Sequence, residues 1–402
     1  MDKNYHYFAV KALAVRAGFT EPDAQVIASY SQFVDDFDTY RYLYFKEVPD
    51  FAQYLAVKVP TGWIFNPVTT GFNSFFDYTR LSMERYQKEI LVPFHFITQE
   101  PLDVKYEDRR EYRVKPVTMD KASLLQGLLK KASDQYISEH SRTNLIRIGT
   151  LLHVFADTYA HQRFSGFWNW ENHAYLKDAV SNINGSKNNI TASYSPNMYY
   201  YVPSIGHPNV STAPDDSYVT FSILQKTMEH ENYPYPDQYE RDNTDEFIKA
   251  SKEIFNYLRG CMGNTTPLDT AFWDDLALNL REGLLTAEKD EKKLADFWKK
   301  FFDDIPFYYN KNEMYTSSLK TSSGGETSDQ SVNNEIVIEV MSNQTSGDVN
   351  NVMLTSVNQD FFDFNVIADT IRKAVNPNYT MDIEFYEYSK DLNLKDYSIA
   401  NE

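Results

Sequence analysis

Cysteine is almost missing from this sequence: Cys261 is the single thiol in 402 residues. One thiol excludes a disulfide framework and any cysteine-based zinc finger or iron–sulfur site within one copy of the chain. A metal, if bound, must rely on His, Asp and Glu. Long apolar runs are missing too, since no stretch approaches the roughly 18 apolar residues that a membrane-spanning helix needs. The N-terminus, MDKNYHYFAVKALAVRAGF, has no basic start followed by a purely apolar segment. The expectation is a soluble protein without a transmembrane segment, cytoplasmic or exported by a signal-independent route. Positive charge is in deficit, with 39 Lys and Arg against 57 Asp and Glu, for a net charge of −18. Nucleic-acid backbones and anionic membranes are gripped by Lys and Arg, so simple electrostatic docking on either is disfavoured unless bound dications reverse the sign locally. What is present is ordinary globular composition, 42% hydrophobic and 24% charged, which excludes wholesale disorder and is enough for a sizeable core. The length allows two or three domains, or one large domain with an appendage.

Hydrophobic spacing predicts two helices over 5–34, broken at GFTEPDA, with Thr20 as N-cap and Pro22 in the first turn of the second. Residues 37–80 are aromatic and weakly periodic, apart from a possible helix at 47–57. Residues 81–91 read as helix running into VPFHFI, and EYRVKPV as a short strand. Two strongly periodic helices follow at 119–139 and 141–163, the second with Ser141 or Thr143 as its cap. Residues 164–216 read as a long structured loop, and helical patterns return at 217–230, 243–260, 270–286 and 289–302. The stretch KNEMYTSSLKTSSGGETSDQSVNN is linker-like. Beyond it EIVIEVM, NVMLTSV and MDIEFYEY read as strands around a helix at 361–374. The expected organisation is a helical metal-binding domain at 1–310, a linker at 311–335, and a small α+β module at 336–402 that could bind a protein partner. The expected fold class is mainly α.

The chemistry concentrates in LLHVFADTYAHQRFSG. His153, Asp157 and His161 stand four residues apart, so they share one helical face and project side by side as three metal ligands. Composition alone places such a triplet in a chain of this length far less than once. The neighbours Leu151, Leu152, Val154, Phe155 and Ala156 make this helix apolar nearly all round, so the polar face is buried, and buried His and Asp need a partner. His6, His95 in VPFHFI, His207 in PSIGHP and the pair Asp215–Asp216 lie in apolar or glycine-flanked settings. Asp35 and Asp36 end an apolar helix, where carboxylates are disfavoured by the helix dipole unless a cation compensates. A hydrogen-bonded core position is an equally good reading of His6 or His95 taken alone. His140, His173 and His230 sit among polar residues and read as surface. Neutral imidazoles and carboxylates without thiolate suit zinc, and also manganese or iron. Closely spaced dications would polarise a phosphoryl group, lower the pKa of a bridging water so that hydroxide exists near neutrality, and stabilise the leaving oxygen. Arg163 could hold a phosphate oxygen, and the aromatic stretches 164–175 and 198–203 could form a lipid- or base-binding wall.

In order and spacing, His6, VDD ending at Asp36, FH at His95, H-x3-D-x3-H from His153 to His161, GH at His207 and PD at Asp215 resemble the zinc-dependent phospholipase C and single-strand nuclease superfamily, and more closely a bacterial branch of it with no defined substrate. The resemblance covers about residues 1–305. It implies a mostly helical fold holding two to three zinc ions and a phospholipase C-like phosphodiester hydrolase, with a single-strand nuclease and a non-catalytic metal-stabilised structural or interaction domain as the alternatives. Carried over by position, Asp35, His95, His153 and Asp157 would hold one ion, and His161, His207 and Asp215 a second. His6 and the other oxygen of Asp157 would serve a third, which the superfamily completes with backbone of the mature N-terminal residue. Asp2, one helical turn before His6, could substitute there, and Asp36 is a further candidate ligand. Asp35 and Asp157 would carry the catalytic roles. This sequence departs from the pattern in two places: the His after the central Asp comes four residues on, and the last carboxylate follows His207 by eight.

Overall fold

Helix α1 (Val10–Ala17) ends on Gly18, whose φ of 108° closes it in the left-handed region. Helix α2 (Glu21–Asp36) starts where the Thr20 hydroxyl accepts the Asp23 N–H at 3.3 Å. Side-chain caps likewise open α3 (Leu124–Ser138) at Ser123, α5 (Asn243–Cys261) at Asp242, α6 (Thr270–Leu284) at Asp269 and α7 (Glu291–Trp298) at Asp290. Helix α4 (Arg142–Ala160) begins after Ser141, and a last helix, α8, spans Gln359–Val375. In this computed structural model the described residues are 1–38, 43–45, 47–59, 62–72, 82–183, 186–194, 204–229, 237–314, 318–321, 352–356 and 359–380.

Helix α4 is the axis of the molecule, with every residue from Ile148 to Ala160 buried. It lies directly against α2. A Cβ at Gly149 would sit 2.3 Å from the Ile27 carbonyl oxygen, so only glycine lets the two backbones come this close. Helix α8 packs on α4 and lays its aromatics against those of α2: the Phe364 ring lies 4.9 Å from Phe33, 5.6 Å from Phe37 and 5.7 Å from Tyr30. Among the described residues two sheets complete the fold. The first has the order β2 (Ala56–Val59), β3 (Gly62–Phe65), β1 (Leu43–Phe45), β9 (Val352–Ser356), β8 (Ser318–Thr321), with β1 and β9 parallel and the other pairs antiparallel. The second is antiparallel, in the order β5 (Asn188–Asn189), β4 (Ala174–Ser181), β6 (Val219–Gln225), β7 (Asp237–Asp242), with a bulge between Leu176 and Asp178. Its inner face packs on Phe96, Phe164, Ile205 and Val210 as a second core beside the helical one.

The mainly α expectation is therefore corrected to an α+β mixture, 53% helix and 12% strand in two sheets. Residues expected to be helical at 217–230 supply β6, because VTFSILQ buries Val219, Phe221 and Ile223 at period two. The long loop expected at 164–216 contains β4 and β5. EYRVKPV forms no strand and contributes one bridge, Val114 to Gln162. Residues 359–375, expected in a separate C-terminal module, pack instead into the core shared with α2 and α4. EIVIEVM, MDIEFYEY, MYYYVP, His230 and most of the linker lie outside the described residues.

Candidate metal centre

The site forms where the two cores meet. A π-helical turn, Asn4–Ala9, carries His6, and a second, Gln87–Leu91, runs through Val92–Phe94 into His95. Asp35 comes from the last turn of α2, His153 and Asp157 from α4, and His161 from the residue just past it. His207 and Asp215 arrive on the segment laid over the second sheet. There Gly206, at φ 65° and with its Cα against the Phe96 ring, permits the turn.

Asp157, 1% exposed, is the hub. Its Oδ1 lies 3.1 Å from His6 Nε2, and its Oδ2 lies 3.1 Å from His95 Nδ1, 3.3 Å from His153 Nε2 and 3.6 Å from His161 Nδ1. Asp35 faces His6 Nε2 at 3.8 Å, His95 Nδ1 at 3.8 Å and His153 Nε2 at 3.7 Å. Asp215 faces His161 Nε2 at 2.9 Å and His207 Nε2 at 3.3 Å. Three groups result, His6/His153/Asp157, Asp35/His95/His153 and His161/His207/Asp215, and within each the ligand atoms lie within 4.8 Å of one another. Ligands about 2.0–2.2 Å from a tetrahedral zinc stand about 3.4 Å apart, which is the spacing seen here.

The outer nitrogens say what the inner ones are for. His95 Nε2–H donates to the Thr70 carbonyl at 2.7 Å, and His153 Nδ1–H to Ser31 at 2.9 Å. His161 Nδ1–H donates to the His95 carbonyl at 2.6 Å, and His207 Nδ1–H to Ser211 at 2.8 Å. Each bond fixes the tautomer and turns the other nitrogen, as a lone pair, toward a carboxylate. Lone pair against carboxylate is repulsive unless the ring is an imidazolium or a cation sits between them. His6 makes the point more sharply: fully buried and stacked on His153 at 3.9 Å, it finds no well-aligned hydrogen bond for either nitrogen among the described residues, and its Nε2 faces only the carboxylates of Asp157 and Asp35. An unpartnered buried imidazole is costly, and a cation shared with Asp157 removes the cost.

Electrostatics agree. Burial, then His153 and the Met1 amino group, hold His6 well below the ordinary histidine range, and burial lowers His207. Burial opposes the charge on Asp157, but His161, the Met1 amino group, His153 and His6 keep it well below the usual carboxylate range. Asp215 is likewise held low against burial by His207, Met1 and His161. Burial raises Asp35 despite its histidines, while hydrogen bonding and charge from Asp157 outweigh burial and raise His95.

Eight of the sequence-derived ligands converge: His6, Asp35, His95, His153, Asp157, His161, His207 and Asp215. Asp36 does not join them. One residue of helix turns it about 100° away, and it accepts from Tyr309 Oη at 2.7 Å. Asp2 does not substitute at the third position either; its carboxylate lies 3.4 Å from Lys289 Nζ. The Met1 amino nitrogen stands 2.6 Å from Asp157 Oδ1 and 3.3 Å from Asp215 Oδ1, with a pKa pushed up to about 11 by these carboxylates and Asp35 against burial. Arg163 points elsewhere: it pairs with Asp237 and lies over Tyr239, 4.7 Å from the ring centroid. His140 is exposed as expected, whereas His173 is half-buried. The carbonyls of Thr70, Ser31 and Ser211 were beyond sequence reasoning, because backbone acceptors carry no residue-type signal.

Fold and site together define an α+β protein with a buried His/Asp centre able to hold metal ions. The chain belongs to the family of unknown function DUF6765, which matches residues 1–378. No curated protein and no solved structure matches it. Among the described residues, no helix is long and apolar enough to cross a membrane.

Proposed function

We propose that this protein is a zinc-dependent phosphodiester hydrolase of phospholipase C-like type, with two to three ions in the centre around Asp157. The observation that carries the reading is the set of four imidazoles locked by outer carbonyls with their lone pairs turned onto Asp35, Asp157 and Asp215, beside the buried His6 whose Nε2 also faces Asp157. His6, Asp35, His95, His153 and Asp157 would hold one part of the cluster, and His161, His207 and Asp215 the other. Bound dications supply the Lewis acidity that phosphodiester cleavage needs. Asp157 joins the ligand groups. Asp35, 28% exposed, with Asp215 and His207 at 18% and 15%, forms the open side from which substrate approaches. Trp168, 53% exposed and bridged through its backbone to Ile205 two residues before His207, supplies an apolar rim beside it. The net charge of −18 favours a phospholipid or small phosphodiester over a nucleic acid, whose many phosphates would meet the acidic surface.

Elemental analysis after gentle purification, paired with turnover of bis-p-nitrophenyl phosphate, tests this. Two to three zinc, manganese or iron ions with chelator-sensitive turnover is the expected result. Metal without turnover on that ester, on phosphatidylcholine vesicles or on single-stranded DNA would replace the hydrolase with a metal-stabilised non-catalytic domain. Less than one equivalent after zinc add-back would end the multinuclear reading.

A further inference from the structure

We infer that Arg241, whose guanidinium bonds to backbone carbonyls and to Asn243, is the positioning residue for the His161/His207/Asp215 half of the centre, and that occupancy of this half depends on it. The inference rests on the metal reading above. Arg241 lies on β7 and is 4% exposed. Its guanidinium donates to the carbonyls of Tyr159 at 2.9 Å and Ala160 at 2.7 Å, the last two residues of α4. It also donates to the Pro214 carbonyl at 2.9 Å and to Oδ1 of Asn243 at 2.8 Å. The next residue along each of the two bridged segments is a ligand: His161 follows Ala160, and Asp215 follows Pro214. Asn243 extends the clamp, donating to the carbonyls of Ala213 at 2.7 Å and Asp216 at 2.8 Å, on either side of Asp215.

The physics favours arginine at this point. The last carbonyls of α4 have no intrahelical N–H partner and carry the negative end of the helix dipole, so a buried cation with forked donors satisfies both needs. Arg241 thereby ties the helical core to the segment over the second sheet, across the gap where His161 Nε2 and Asp215 Oδ1 stand 2.9 Å apart. Metal ligands must hold their distances within about 0.2 Å, a tolerance that a loose Pro214–Asp215 segment would not keep. His6, Asp35, His95 and His153 hang on other supports, the Thr70 and Ser31 carbonyls among them, so the defect should stay in one half.

The test uses the full chain, loaded with zinc and titrated against a chelator of known affinity, for wild type, Arg241→Gln, Arg241→Lys and His207→Ala. Arg241→Gln should lose about one equivalent of zinc per folded molecule, matching His207→Ala. Its weakest-held ion should bind about 10- to 100-fold less tightly, the usual effect of removing a supporting partner. Arg241→Lys, keeping the charge but not the fork, should fall between Gln and wild type. Wild-type stoichiometry and affinity in Arg241→Gln would overturn the inference, and so would parallel loss of all ions, which marks a general structural role. If Arg241→Gln does not fold, Arg241→Lys carries the comparison: selective weakening supports the inference and uniform or absent weakening overturns it. A wild-type chain that takes up no zinc removes the metal reading itself, an outcome distinct from every variant result.

Discussion

Replacing Asp157 with Asn keeps the size of the side chain and removes its charge. Met1, His6, His95, His153 and His161 all place a nitrogen within 3.6 Å of that carboxylate, so one substitution affects groups shared by more than one proposed ion. An ion present at about 1,000 times its dissociation constant stabilises the folded state by about 4 kcal/mol, so two such ions contribute about 8 kcal/mol. If each binds about a hundredfold more weakly in the variant, the remaining contribution is about 1.4 kcal/mol apiece, or roughly 3 kcal/mol in all. Asp157→Asn should therefore lose about 5 kcal/mol of zinc-dependent stability. Denaturant unfolding of both proteins at matched free zinc and again in chelator isolates this difference, because the chelated baseline subtracts any effect on packing. A variant with full metal content and an undiminished zinc increment would show that Asp157 is a helix-face carboxylate and nothing more. His140→Ala, at an exposed position stacked on Tyr136, is the control and should change stability by less than about 0.5 kcal/mol.

Gly149→Ala drives a methyl into the Ile27 carbonyl and should cost about 1–3 kcal/mol as α2 and α4 separate; zinc affinity should fall with it as the Ser31 carbonyl leaves His153, and a variant as stable as wild type in urea would refute the close-packing argument. In chelator, folded His6 and His207, both lowered, refuse protons that the unfolded chain takes below about pH 6.5, which pulls stability down by up to about 1.4 kcal/mol per pH unit for each as pH falls, whereas Asp35 and Asp2, both raised, take protons first in the folded state and pull it up over the same fall. His95, raised, also opposes them above that range, so the measurement is wild type against His207→Ala: wild type should lose more stability between pH 7 and 5, and parallel profiles would contradict the burial of His207. Ending the chain at 310 should leave an unfolded or aggregating product: Phe361, Phe364, Ile367 and Ile371 are each worth about 1.5–3 kcal/mol of burial, which together rivals the whole stability of a domain, and a soluble cooperative fragment would show that α8 is dispensable.

The helices and the ligands were legible for one reason. His153, Asp157 and His161 lie within nine residues, and a helix converts that spacing directly into a shared face. His6, Asp35, His95, His207 and Asp215 were readable only as polar residues in apolar company, which marks burial but not destination. Asp36 shows the limit, since it has the same setting as Asp35 and only the phase of the helix separates them. The sheets were harder to see. β6 alternates Val219, Phe221 and Ile223 with Thr220 and Ser222 over only a few residues, so its period-two signal is too short to stand out. Helix α8 was recognised as a helix, but the intervening Ser/Gly/Asn-rich stretch looked like a boundary; nothing local reveals that its phenylalanines meet Tyr30, Phe33 and Phe37 more than 300 residues earlier.

The contact between α2 and α8 also sets an order of events during synthesis. At about 5–20 residues per second, the roughly 340 residues between Asp36 and Val375 take about 20 to 70 seconds to appear. For that interval Tyr30, Phe33 and Phe37 lack the aromatic cover that Phe361 and Phe364 provide, although every side chain of the metal centre has been made once Asp215 is complete. A chain able to capture ions at that stage would gain stability from ligands that join its first residues to its middle, and could hold α2 against α4 until the last helix arrives. Metal supply would then govern the yield of folded protein as well as its final stability.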